Sequence, residues 1–171
     1  GGAERIELNS ALALGGLTPS AGCVKLVKKN TGLKVISMVR PRGAGFNYTE
    51  AETDQMFADG QELLKAGSDG LAFGFLTEDR EIDREKTAKM AELIHSFGKE
   101  AVFHRAYDCV KDPCEAMETL ISLKIDRVLT SGLREKAVEG AELLRRLQAE
   151  YGSRIQILAV SGVIAGNAKA L

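Results

Sequence analysis

Residues 101–122, AVFHRAYDCVKDPCEAMETLIS, contain the pattern that decides the fold. The apolar run from Ala101 to Arg105 is typical of a strand that is buried on both faces, and it ends in polar residues. Asp112 and Pro113 then predict the start of a helix, with an N-cap followed by proline at the first helical position. The stretch therefore predicts a strand, a polar loop and a helix, which together form one βα unit.

The same pattern recurs on both sides of this stretch. Thr49 and Glu52 form a capping box at the start of another amphipathic segment, and a further helix is predicted from about Glu135 to Glu150. Strands that alternate with helices in units of roughly 30 residues predict a parallel sheet with right-handed crossovers. The remaining predicted strands cover residues 5–8, 35–40, 70–75, 127–131 and 155–160.

An open doubly wound sheet and a closed (β/α)₈ barrel both fit this order of elements. The barrel is favoured because no glycine-rich dinucleotide fingerprint follows the first strand, and because polar residues collect at the ends of many strands. We therefore predict an α/β fold of the TIM type over residues 1–171, as a single partial domain with about six βα units. Since a complete barrel needs about 200 to 250 residues, we expect a fragment that lacks the first and last strands. If the chain is not a fragment, either the barrel prediction is wrong or a partner completes the sheet, as in a homo-oligomer.

Composition and charge exclude several classes of function. The chain is 44% apolar and 27% charged with a formal net charge of -1, which is typical of a globular protein and predicts no nucleic-acid or membrane surface. No apolar run approaches the roughly 20 residues that cross a bilayer. An odd number of cysteines, three, predicts reduced thiols and a cytoplasmic protein.

Polar side chains lie at or just beyond the ends of four of the predicted strands, where parallel α/β proteins place their chemistry. Three of them are arginines, which repel one another unless they meet carboxylates or a bound anion. One interpretation is a network in which Glu7 and Asp108 act as counter-ions. The other is a site for a small anionic ligand. The residues concerned are Glu7, Arg40, Arg42, His104, Arg105, Asp108, Thr130, Ser131 and Gly132.

The second interpretation assigns a role to each of these residues. The arginines would bind the anion, and the Thr130-Ser131-Gly132 loop would add hydroxyls and backbone N–H groups. His104 would serve as a general acid or base with Glu7 or Asp108, because its side chain titrates near neutral pH. The protein would then be an enzyme that acts on a small anionic metabolite, or a sensor that binds the metabolite without changing it.

The cysteines do not have the spacing of a metal site. Cys109 and Cys114 lie five residues apart across a loop-to-helix junction, and Cys23 lies in a predicted helix. Although Cu(I) prefers thiolate and thioether ligands, this arrangement favours packed or exposed free thiols. No metal ligands are predicted from the residues themselves.

Five sequence blocks in a fixed order resemble the CutC copper homeostasis family. They are residues 2–8 (GAERIEL), 15–20 (GGLTPS), 40–43 (RPRG), 104–108 (HRAYD) and 127–132 (RVLTSG). The resemblance covers essentially the whole chain. It implies a TIM-type barrel, a cytoplasmic protein, a role in copper homeostasis, and further chain before Gly1 and beyond Leu171.

The same resemblance shows where this chain departs from the family. In members proposed to bind copper, one cysteine lies in the first strand and another directly follows the Arg-Ile-Glu-Leu string. The second position is Asn9 here, and an amide is a poor ligand for Cu(I). Copper is therefore implied as a cofactor by the family resemblance only, and copper binding by that cysteine pair is not expected in this chain.

Overall fold

A computed structural model describes residues 2–170, and its strands and helices alternate along the chain as predicted. The strands are β1 (Arg5–Leu8), β2 (Lys34–Met38), β3 (Gly70–Phe73), β4 (Glu100–Phe103), β5 (Arg127–Thr130) and β6 (Gln156–Ala159). The helices are α1 (Ala21–Asn30), α2 (Glu50–Lys65), α3 (Arg84–Ser96), α4 (Pro113–Ser122) and α5 (Ala141–Tyr151). The predicted α/β class is therefore confirmed. The predicted domain bounds include Gly1 and Leu171, which lie outside the described residues.

The chain divides into two compact units, the first of residues 2–73 and 88–101 and the second of residues 74–87 and 102–170. In the first unit β1, β2 and β3 pair in parallel, with Glu7 opposite Ile36 and Met38 opposite Ala72. Each strand is followed by a helix in this order because parallel neighbours need a crossover connection. The buried core of this unit includes Val24, Val35, Met56, Leu63, Leu71 and Phe73.

In the second unit the end of β4 pairs with β5, and β5 pairs with β6, again in parallel. Residues on both faces of β5 are buried, as the neighbours Val128 and Leu129 illustrate. The predicted N-cap of α4 is confirmed, since Asp112 accepts hydrogen bonds from the backbone N–H groups of Cys114 and Glu115. The core of this unit includes Phe75, Phe103, Tyr107, Met117, Leu120 and Leu147.

The predicted helix from about Glu135 to Glu150 was wrong at its start, because α5 begins at Ala141. Residues 133–140 instead make contacts outside the helix. The Leu133 N–H donates to Asp108 with a φ of 61°, and the Ala137 N–H donates to the Ser161 carbonyl. Tertiary hydrogen bonds therefore hold this segment as a loop, although its sequence favours a helix.

Candidate functional site

The backbone after β2 places Arg40 by a reciprocal contact with Thr18. The Arg40 N–H donates a hydrogen bond to the Thr18 hydroxyl at 2.9 Å. In return, the Thr18 hydroxyl and the Thr18 N–H each donate to the Arg40 carbonyl at 3.0 Å. Both backbone groups of Arg40 are thus satisfied just beyond the end of the strand. The contact fixes the direction in which the side chain leaves the chain.

The Arg40 side chain carries a buried charge with no carboxylate partner. Arg40 is only 8% exposed, and its guanidinium stacks on the Phe46 ring at 5.0 Å. Its Nη1 faces the carbonyls of residues 14, 15 and 16 at 3.3 to 3.5 Å, which are long distances for a charged donor. Among the residues that the structure describes, no carboxylate pairs with Arg40, and its buried Nε has no hydrogen-bond partner.

The loop from Ser10 to Leu17 packs against this side chain. Two backbone hydrogen bonds of 2.8 and 2.9 Å join Ser10 to Leu17 and close the loop at its base. Gly15 and Gly16 have φ values of 86° and 87°, which favour glycine. A Cβ at Gly15 would lie 2.9 Å from Arg40 Nη1, so the loop approaches the guanidinium as only glycine allows.

Glu7 in β1 and Asn9 just after the strand lie on the same face of the chain. Because Glu7 lies opposite Ile36 in the parallel register and side chains alternate, Glu7 and Asn9 share a face with Met38 and Arg40. The Asn9 amide Nδ2 donates to the Glu7 carboxyl at 3.0 Å. Surrounding protein raises the pKa of Glu7, an effect that this hydrogen bond partly offsets, although part of the side chain stays exposed. Glu7 therefore holds a proton more readily than an ordinary glutamate.

Arg42 is held at the N-terminus of α2. Its Nε pairs with Glu52, the guanidinium lies 5.0 Å from the Tyr48 ring, and Nη2 donates to the Asn47 carbonyl at 2.9 Å. Glu52 also accepts from the Thr49 N–H, so the predicted capping box is confirmed. The Arg42 guanidinium and the Thr49 N–H together lower the pKa of Glu52 to about 2. The charge of Arg42 is thus neutralised locally.

In the second unit the loop after β5 encloses the carboxylate of Asp108. Oδ1 accepts from the Thr130 hydroxyl at 2.6 Å and from the Ser131 and Leu133 N–H groups at 3.0 and 3.2 Å. Oδ2 accepts from the Ser131 hydroxyl at 2.8 Å and from Arg105 Nε at 2.8 Å. The hydroxyls and backbone N–H groups predicted to receive an anion therefore surround a carboxylate of the chain itself. The Gly132 N–H donates to the Thr130 hydroxyl instead.

His104 lies at the end of β4, buried at 3% exposure. Its Nδ1 accepts from the Ala106 N–H at 3.2 Å, which places the proton of the neutral ring on Nε2. A Cβ at Gly74 would lie 2.7 Å from Nδ1, so the ring packs directly on that glycine. The tautomer and orientation of the imidazole are thus fixed by contacts within the second unit.

The structure divides the predicted site residues between the two units. Glu7, Arg40 and Arg42 belong to the first unit, and the other six predicted residues belong to the second. Within the second unit, Arg105, Asp108, Thr130 and Ser131 form one hydrogen-bonded cluster. The catalytic and binding roles of all nine stay predictions. The contacts of Gly15 and Gly16 with Arg40 and Asn9 were not predicted from the sequence, although a Gly-Gly pair soon after a strand end was the available signal.

Copper does not fit the described residues well. They contain no group of three or more His, Cys, Asp or Glu side chains that could hold a metal ion. Cys23 and Cys109 are exposed, and Cys114 is half-buried beside Arg146, whose Nη2 lies 3.3 Å from Sγ. A guanidinium at that distance opposes the binding of a cation. Across residues 2–170, no helix is both long and apolar enough to span a membrane.

Comparisons with known proteins agree on one family. The chain is 48% identical over 98% of its length to a CutC family protein of Treponema denticola, and 43% identical over 95% to the human copper homeostasis protein cutC homolog. It spans 67% and 59% of the lengths of these two relatives. A crystal structure of CutC from Streptococcus agalactiae superposes with a TM-score of 0.90 at 32% identity, and covers 97% of this chain and 81% of that one.

A more distant structure supports the barrel class alone. Deoxyribose phosphate aldolase from Aeropyrum pernix superposes with a TM-score of 0.61 at 18% identity, and covers 85% of this chain and 62% of that one. The predicted TIM-type fold is thereby confirmed. The model of the CutC family matches residues 1–171. With that match and these relatives, the chain belongs to the CutC family.

Proposed function

We propose that this chain contributes to copper homeostasis, the role named for its human relative, by binding a small anionic ligand at Arg40 and not by holding copper itself. The observation that carries the proposal is the buried Arg40 guanidinium, which has no described carboxylate partner and leaves Nε without an acceptor. A buried donor without a partner costs about 1–3 kcal/mol. An oxyanion on the Nε–Nη2 edge would remove that cost and neutralise the charge.

The location of Arg40 supports the same proposal. Arg40 lies two residues beyond the end of β2, and barrels of this type bind their ligands at the C-terminal ends of the strands. By contrast, the charges of Arg42 and Arg105 are neutralised by Glu52 and Asp108. Of the three arginines predicted to bind an anion, Arg40 is the one whose charge is not paired with a carboxylate of the described residues.

A second candidate function is acid–base catalysis on the bound anion by Glu7. Its raised pKa favours this role, since an acid that gives up its proton less readily than an ordinary glutamate is better suited to donate that proton to a ligand. The Asp108 carboxylate supports such a role less well, because its two oxygens already accept from five donors. Incubation of candidate substrates with the wild type and Glu7→Gln tests this; equal turnover by both proteins would exclude it.

Titration with Cu(I) against a coloured chelator tests the copper part of the proposal. We expect the wild type and a variant with Cys23, Cys109 and Cys114 all changed to serine to lose the metal equally to the chelator. Tight binding by the wild type that the triple variant lacks would contradict the proposal, since thiolates would then hold copper. Far-UV circular dichroism checks that the triple variant keeps its fold.

Titration with inorganic phosphate and acetate, followed by NMR, tests the anion part. We expect saturable shifts in the wild type that disappear in Arg40→Gln. Arg145→Gln is the matched control, because Arg145 is an exposed arginine on α5. Equal binding by all three proteins, or no binding by any, would contradict the proposal.

The cytoplasmic location and a homo-oligomeric state belong to the same proposal. Fractionation of cells that express a tagged copy tests the first, and sedimentation equilibrium tests the second. Recovery of the protein outside the cytoplasmic fraction, or a monomer at all concentrations, would contradict the respective part.

A further inference from the structure

Two side chains that each carry a buried atom without a hydrogen-bond partner lie against the same pair of glycines. Arg40 Nε is a donor and Asn9 Oδ1 is an acceptor, and neither has a hydrogen-bond partner among residues 2–170. A Cβ at Gly15 would lie 2.9 Å from Arg40 Nη1, and one at Gly16 would lie 2.5 Å from Asn9 Oδ1. Consecutive residues of one loop therefore contact the ends of both side chains.

The orientation of the Asn9 amide follows from its other contact. Nδ2 donates to the Glu7 carboxyl at 3.0 Å, so the oxygen is the end that has no partner. A flipped amide would place two oxygens together and leave both without a donor. The site thus offers a fixed acceptor at Asn9 in addition to the cation at Arg40.

Buried polar atoms without partners need an explanation, because most buried donors and acceptors in proteins are paired. One ligand that supplies both an acceptor and a donor would satisfy both atoms. We infer that the ligand of the Arg40 site is a small hydroxylated oxyanion, a carboxylate or phosphate with a hydroxyl on a neighbouring carbon. This inference rests on the anion site of the proposed function: the oxyanion accepts from Arg40, and the hydroxyl donates to Asn9.

Entry of the ligand requires the Ser10–Leu17 loop to move. Both atoms are closed to solvent, and the loop carbonyls contact Arg40 Nη1 only at 3.3 to 3.5 Å. Leu12 and Leu14 on this loop are 75% and 59% exposed, so lifting the loop breaks little apolar packing. The Ser10–Leu17 bridge at its base provides a fixed point about which the loop can open.

Matched pairs of probes test the inference. Lactate is compared with propionate, and glycerol 3-phosphate with propyl phosphate, because the members of each pair differ chiefly in their hydroxyl groups. We expect the wild type to bind the hydroxylated member of at least one pair about tenfold more tightly, since the other member leaves the Asn9 acceptor unpaired. The pair that shows the difference distinguishes a carboxylate from a phosphate.

Two variants separate this inference from the proposed function. Asn9→Leu should bind both members of the pair equally, and Arg40→Gln should bind neither. Asn9→Ala is the second variant if the leucine disturbs the fold. Equal binding of both members by the wild type, with binding still lost in Arg40→Gln, would overturn the hydroxyl inference and leave the anion site intact. Selectivity that survives in both Asn9 variants would also overturn it, and probes that bind without dependence on Arg40, or not at all, would overturn both.

Discussion

Removal of the Asp108 carboxylate should destabilise the protein strongly. In Asp108→Ala, the buried N–H of Ser131 and the N–H of Leu133 lose their acceptor, and Arg105 loses its counter-ion. The Asp108 side chain is only 7% exposed, so water replaces the lost contacts poorly. Each donor left unpaired costs about 1–3 kcal/mol, and breaking a buried charge pair costs about 3–5 kcal/mol. These costs overlap, because Arg105 is 44% exposed and can turn to solvent.

We therefore expect Asp108→Ala to lower the free energy of unfolding by about 3–5 kcal/mol, and the melting temperature by about 10 °C. Urea denaturation followed by circular dichroism measures the change. Asp108→Asn should lose most of the same free energy, because its amide NH₂ would face donors. Asp54→Ala, an exposed aspartate on α2, is the control. A loss below about 1 kcal/mol in both Asp108 variants would refute the reasoning, since the enclosed carboxylate would then not organise its loop.

Three further predictions concern single residues. Glu7→Gln should stabilise the protein at neutral pH and have no effect near pH 3, because the folded state raises the pKa of Glu7 above its ordinary 4.5 and the ionised form therefore opposes folding as pH rises. Denaturation midpoints of wild type and variant that agree at both pH values would contradict this. Glu52→Gln should destabilise the protein, because the contact of Glu52 with Arg42 stabilises the fold above pH 4.5 and loses that effect as pH falls through the folded pKa of about 2. A difference in unfolding free energy from wild type that is as large at pH 2 as at neutral pH would contradict this. Gly74→Ala should cost about 1–3 kcal/mol by pressing on His104, and an unchanged melting temperature would show that the ring moves freely.

Local rules predicted most of the fold correctly. All six strands lie within two residues of their predicted bounds at each end, because a short apolar run between turn residues leaves few positions at which a strand can begin or end. The N-cap at Asp112 and the capping box at Thr49 depend only on residues three apart, so the sequence alone identifies them. The start of α5 depends instead on hydrogen bonds from Leu133 to Asp108, 25 residues away, and no local pattern predicts such a contact.

The candidate site was harder to predict for the same reason. Arg40 and Arg105 both follow a strand, and their sequence surroundings favour an anion-binding role equally. What separates them is the presence of a carboxylate. Arg105 has Asp108 three residues later on the same 3₁₀ turn, whereas Arg40 faces carbonyls, the Phe46 ring and the Tyr48 hydroxyl. In the second unit, the Asp108 carboxylate itself accepts from the donors that would otherwise bind an anionic ligand.

Under the proposed function, the family's copper role does not require a copper ligand in this chain. A barrel can affect metal balance through a metabolite that it binds, and a buried cation without a counter-ion selects oxyanions whatever occupies the position of Asn9. With cysteine at that position, the chain would offer a soft ligand beside Glu7. With asparagine, it offers a hydrogen-bond acceptor that has no partner among the described residues and lies against the same loop as Arg40. Asn9→Cys should therefore lose the preference for hydroxylated anions while binding at Arg40 is kept, and retention of that preference would show that Asn9 does not read the hydroxyl.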